Sequence, residues 1–152
     1  MKKLFFAILF LFLSIGIVLP VHSAGYTDFY ATLPGAGWAE KSASLNIRIS
    51  AILCTNSGVC MANGFGYASD SPSDLVHFGG DILNNGQYLH VWLKGDGRGS
   101  VNNGTQFINY DIYIKINLSN PVSSMNTFSC KSTSVENGQP WISTGHVTIT
   151  FY

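Results

Sequence analysis

Residues 107–118 read FINYDIYIKINL. Ile108, Tyr110, Ile112, Ile114 and Ile116 take alternate positions, with Asn109, Asp111, Tyr113, Lys115 and Asn117 between them. Successive side chains of a strand point to opposite faces, so this stretch predicts a strand with one buried and one wet face. The same period recurs on either side. In 44–54 (SLNIRISAILC), Leu45, Ile47 and Ile49 alternate with Asn46, Arg48 and Ser50. In 87–94 (QYLHVWLK), Leu89, Val91 and Leu93 alternate with Tyr88, His90 and Trp92. Residues 59–68 (VCMANGFGYA) read as a strand loosened by glycine, and 145–152 (GHVTITFY) close with Val147, Ile149 and Phe151 facing inward. No useful length shows a 3.6-residue apolar period. The connections carry turn residues: Asn84-Asn85-Gly86, Gly95-Asp96-Gly97-Arg98-Gly99, Asn102-Asn103-Gly104 and Asn137-Gly138-Gln139-Pro140. Half-buried strands joined by such turns predict an antiparallel all-β fold, because a parallel sheet needs helical crossovers. An immunoglobulin-like sandwich is the first expectation and a small barrel or jelly roll the second.

The N-terminus has a different chemistry. Met1-Lys2-Lys3 is followed by an uncharged apolar run over 4–19, then Pro20 and the small-residue stretch Val21-His22-Ser23-Ala24. That layout predicts a secretory signal peptide over 1–23, with the run shorter than the roughly 20 residues a spanning helix needs. The rest, 24–152, suits one domain with a real core and is too short for two. Removing Lys2 and Lys3 leaves six Lys and Arg against eight Asp and Glu, a net charge of −2 with no cluster. Nucleic acid requires a basic stripe to displace counterions, and this composition excludes it as a partner. The expected location is outside the inner membrane, in the periplasm and then at the cell surface.

Export turns the cysteines into a disulfide question. Cys54, Cys60 and Cys130 are odd in number, so one internal bridge leaves one thiol over. A bridge from Cys54 or Cys60 to Cys130 closes a long loop and stabilises by about 4 kcal/mol through loop-closure entropy. The turn residues Asn56, Ser57 and Gly58 make the short Cys54–Cys60 bridge easy. The entropy argument leans to Cys54–Cys130.

Chemistry-bearing patterns are sparse. GxSxG, HExxH and a phosphate loop are all lacking, the histidines are dispersed, and no CxxC occurs. The reading is therefore a non-enzyme without metal or cofactor. KGDGRGSVNNG (94–104) carries too few acids for a dedicated calcium loop and reads as a loose hairpin loop. Two features point to binding. With Leu89, Val91 and Leu93 in the core, Tyr88 and Trp92 point outward, and Tyr113 joins them if the two strands pair; aromatic faces among Asn and Asp hold sugar rings or partner surfaces. Near the mature N-terminus, Thr27, Phe29, Ala31 and Leu33 alternate, which suits either the domain's own first strand or a strand donated to a neighbouring subunit.

The terminal GHVTITFY, the stretch Gly104-Thr105 followed by INYDIYI (108–114), and a strand ending in Cys54 with a late Cys130 resemble chaperone–usher fimbrial subunits of Gram-negative bacteria. Either a pilin or a small Afa/Dr-type adhesin or invasin subunit fits the pattern, the latter also through Gly95-Asp96-Gly97. This resemblance implies a pilin-like sandwich, assembly by β-strand complementation with a periplasmic chaperone and other fimbrial subunits, and adhesion to a host glycan or protein receptor. It also implies a distant partner for Cys54 and a donor role for Thr27, Phe29, Ala31 and Leu33. The competing reading is a secreted, self-contained carbohydrate-binding or toxin-binding subunit.

Overall fold

The computed structural model describes residues 28–38, 43–101, 104–122, 124–136 and 138–152. The expected signal peptide, Thr27 and the tip residues Asn102 and Asn103 lie outside them. Nine strands are described: β1 Asp28–Leu33, β2 Leu45–Ile52, β3 Val59–Ala68, β4 Val76–Asn84, β5 Tyr88–Val101, β6 Gly104–Asn117, β7 Thr127–Ser134, β8 Pro140–His146 and β9 Thr148–Phe151. They form one antiparallel sheet in the order β8-β7-β6-β5-β4-β3-β2-β1-β9.

Only Val147 separates β8 from β9. β8 pairs with β7, whereas β9 pairs with β1. The chain thus crosses from one edge of the sheet to the other within a single residue. The Val147 N–H donates to Asn126 O at 3.0 Å, beside β7, and Thr148 already stands opposite Thr32 of β1. The two edges meet along this bent segment, and the sheet curls into a nearly closed barrel. Closure removes free strand edges, which otherwise invite pairing with other chains.

The inward side is one continuous apolar core. Phe29, Leu33, Leu45, Ile47, Ile49, Ile82, Leu93, Ile108, Ile112, Ile114 and Ile116 are fully buried. Apart from Ile82 of β4, they occupy the alternate positions that the sequence periodicity marks. Burying an aliphatic side chain of this size contributes roughly 1.5–3 kcal/mol, which makes the core the main source of stability. One end is covered by the segment after β1, where Ala36 and Trp38 are buried and Tyr110 Oη donates to Gly37 O at 2.8 Å.

The all-β antiparallel class is the one expected, but the connectivity differs from an immunoglobulin-like sandwich. β1 to β8 follow one another around the sheet, so neighbours in sequence are neighbours in space. Antiparallel neighbours need no helical crossover, and none occurs among the described residues.

The 95–99 stretch requires a correction as well. It lies inside β5 rather than in a loop. Gly95, Gly97 and Gly99 occupy successive inward positions, and a Cβ at each would run into Phe78, Val76 and Ile108 respectively. The glycines here are room for neighbouring side chains, and Asp96 and Arg98 between them face outward.

The disulfide is Cys54–Cys60, with Cα atoms 3.9 Å apart, and Cys130 is a free, buried thiol. This corrects the expected Cys54–Cys130 pairing. A turn in which Gly58 N–H donates to Thr55 O (3.1 Å) and Thr55 N–H to Val59 O (2.7 Å) sets Cys54 beside Cys60. Cys130 faces the core from β7 opposite Ile112, and three strands lie between β7 and β3 in the sheet. The short loop wins because folding itself brings its ends together.

β1 is likewise an integral strand. Phe29, Ala31 and Leu33 are buried in this chain's own core, and β1 is hydrogen-bonded on one edge to β2 and on the other to β9.

Candidate functional site

The long β5–β6 hairpin builds the most chemically distinctive outer surface. Its register sets Trp92 opposite Tyr113, His90 opposite Lys115 and Tyr88 opposite Asn117. Because even-numbered residues of β5 and odd-numbered residues of β6 point outward, four rings share one patch. The His90 ring lies 5.8 Å from Trp92 and 6.0 Å from Tyr113 between centroids, both stacked, and Trp92 and Tyr113 are 5.5 Å apart. Tyr88 meets His90 edge-on at 6.1 Å, and Lys115 Nζ sits 4.1 Å above the Tyr88 ring. Trp92 remains 43% exposed despite these neighbours.

Hydrogen bonds fix the ring orientations. Asn85 Oδ1 accepts from the backbone N–H groups of Gln87 (3.1 Å) and Tyr88 (2.8 Å), which leaves Asn85 Nδ2 directed at His90 Nε2 at 3.3 Å. An amide nitrogen can only donate, so Nε2 accepts and the proton sits on Nδ1, which donates to Tyr113 Oη at 2.6 Å. Partial burial raises the Tyr113 phenol above its ordinary range, so it stays protonated in neutral solution. The rings are a braced platform rather than four independent side chains.

Polar groups border this platform on two sides. Asp81 of β4 lies opposite Trp92, and Gly79, opposite Lys94, leaves open space where a side chain would stand. On the other side is an open cleft of about 470 Å³, lined chiefly by Lys94, Asp96, Asn109, Asp111, Lys131 and Thr133. Lys94, Asp111 and Lys131 form one cross-strand row, in which charges alternate in sign. An aromatic surface flanked by hydrogen-bonding side chains can hold a molecule that is apolar on its ring faces and polar at its rim.

The three expected residues Tyr88, Trp92 and Tyr113 are therefore brought together. His90, Lys115 and Asp81 complete the patch. His90 and Lys115 carried a signal, since each stands two positions from an expected residue on the same strand; Asp81 depends on β4–β5 register and had none. Beneath the patch, Cys130 faces the core, where burial and then the Asp111 charge push its thiol up to about 12. Burial also raises the Tyr110 phenol. Neither group is poised for nucleophilic or proton-transfer chemistry at neutral pH. His77, His90 and His146 stand on three different strands. Among the described residues, no group of three or more His, Cys, Asp or Glu is placed to hold a metal ion.

A second aromatic cluster lies four strands away round the barrel. Arg48 Cζ is 4.9 Å from the Tyr152 ring and 5.9 Å from Tyr30, the two tyrosine rings are 5.0 Å apart, and Arg48 Nε donates to Tyr152 Oη. No protein-family model, curated protein or solved structure matches this chain.

Proposed function

We propose that this chain is an exported, self-contained binding module that holds a carbohydrate against Trp92. The observation that carries this reading is the braced row of Tyr88, His90, Trp92 and Tyr113 beside the polar cleft of Lys94, Asp96, Asn109 and Asp111. A pyranose presents C–H groups on its faces and hydroxyls around its edge. Trp92 supplies a flat apolar surface for the first, and Asp81, Asn109 and Asp111 supply acceptors for the second. Preset ring orientations reduce the ordering cost of binding.

Adhesion through strand complementation is the other reading of the same export signal. What supports the self-contained reading over it is that β1 is paired on both edges within its own chain and buries Phe29, Ala31 and Leu33 there. A donated strand would have to leave that core open. On the self-contained reading, neither a periplasmic chaperone nor other fimbrial subunits are needed for folding.

The test is tryptophan fluorescence on titration with neutral mono- and oligosaccharides. Binding of at least one sugar class should perturb the emission of the wild-type protein. Trp92→Ala should weaken retention on the corresponding sugar resin by roughly 30-fold, as expected for the central aromatic of an interface. Retention equal to wild type in a folded Trp92→Ala protein rules the site out.

A further inference from the structure

The barrel end built by the β2–β3, β4–β5 and β6–β7 connections has a different composition from the sides. Leu53, beside the disulfide, is 76% exposed and adopts a left-handed backbone conformation (φ 50°) that residues with a Cβ rarely take. Ile52 and Val59 flank it, also exposed. In the β6–β7 connection Val122 is 84% exposed, while buried Asn126 anchors that loop by accepting from Asn117 N–H at 2.8 Å and donating to Pro121 O. The three connections form one rim: Asn84 N–H donates to Gly58 O at 2.9 Å, and Leu118 N–H to Gln87 O at 3.0 Å. Residues 49–69, 82–93 and 116–130 contain no Asp, Glu, Lys or Arg.

From this rim we infer a membrane-seating end: Leu53 and Val122 enter the acyl boundary of a lipid bilayer while the barrel stands on its surface. Three features favour a bilayer over a protein partner. The apolar residues sit on two projecting tips on different sides of the rim, which suits a soft continuous surface better than a single pocket. The three connections carry no formal side-chain charge that would orient a particular protein, and Asp28 stands behind them, opposite Ser50 of β2. Behind the rim stand cation–tyrosine pairs, Lys115 over Tyr88 and Arg48 over Tyr152, which is the chemistry of an interfacial belt. The outer wall bears Asp81, Lys94, Asp111 and Lys131 at outward positions, so the barrel rests on the membrane and does not span it. An uncharged rim also makes the contact independent of anionic lipid and nearly insensitive to salt.

Flotation of the purified exported chain with sugar-free phosphatidylcholine vesicles, at low and high salt, tests this. The wild-type protein should float with the vesicles under both conditions. Leu53→Glu with Val122→Glu should reduce flotation by about tenfold or more, since a charge at that depth is strongly disfavoured. The milder pair Leu53→Ser and Val122→Ser should give an intermediate loss with an unchanged circular dichroism spectrum. Trp92→Ala should float like wild type, which keeps this result separate from the sugar reading. Absence of flotation, flotation that survives both tip pairs, or flotation that requires anionic lipid and is lost in salt overturns the proposal.

Discussion

Two aromatic patches stand on opposite sides of this barrel, and they are built to different ends. In the Tyr30–Arg48–Tyr152 patch, the guanidinium lies over both rings and donates to one of their hydroxyls. Its polar and aromatic capacities are spent on one another. In the β5–β6 patch, His90 braces Tyr113 and the Trp92 ring stays open beside Asp81, Gly79 and the Lys94–Asp111–Lys131 row. Tyr30 and Trp92 are similarly exposed, at 48% and 43%. Exposure alone therefore does not mark a site. What distinguishes the second patch is an aromatic surface with unfilled space and hydrogen-bonding groups at its margin.

The comparison presumes a barrel that fixes both patches, and the hand-over at Val147 is its weakest seam. Ile149→Asp would place an unpaired carboxylate in the core next to that seam. A loss of about 4 kcal/mol or more is expected, seen as collapse of the thermal unfolding transition. A well-folded Ile149→Asp protein would mean that β9 does not close the barrel. Next in size is the contrast between the patches themselves. Trp92→Ala should cost about 2 kcal/mol in sugar binding, whereas Tyr30→Ala should leave binding unchanged and lower stability by less than about 1 kcal/mol.

The disulfide contributes no side chain to either patch and should separate stability from binding. Replacing Cys54 and Cys60 by Ser should lower unfolding free energy by roughly 2 kcal/mol, the loop-closure value for so short a loop, with sugar retention intact. Thiol titration of the wild-type protein should give no reactive thiol when folded and one when denatured, from Cys130. Two or more thiols on denaturation without reductant would contradict the Cys54–Cys60 pairing. The smallest effect is with pH. Cys130 is raised from 9.0 to about 12, and Tyr110 is raised from 10.0, in both cases first by burial. The unfolded chain loses these protons first, so the stability they contribute is complete below pH 9 and declines as pH rises through the folded values. Between pH 9 and 10 the decline from Cys130 should be about 1 kcal/mol, and Cys130→Ala should remove it.

Much of this was legible in the sequence because strand periodicity is local. Residues 107–118 identify both faces of β6 without any tertiary knowledge, and the inward set of β2 and the first half of β5 follow in the same way. Glycine misled at 95–99, because turn freedom and interior clearance put the same residue in the chain. Distinguishing them needs Phe78 and Val76, which reach β5 only through sheet pairing. The patch was half visible for the same reason. Tyr88, His90 and Trp92 announce a shared face, but Asp81 and Gly79 join it only through β4–β5 register. Barrel closure is likewise a product of tertiary pairing, whereas the short disulfide rests on the local turn at Thr55–Val59. Loop-closure entropy rewards the long bridge, but it does not say which thiol faces the core.

The most direct measurement is a glycan array probed with purified wild-type monomer, Trp92→Ala and Tyr30→Ala at equal concentration, without any chaperone or second subunit. The wild-type monomer and Tyr30→Ala should retain the same sugars, and Trp92→Ala should lose them. A monomer that retains no sugar, or a pattern in which both substitutions behave alike, would contradict the sugar-binding reading.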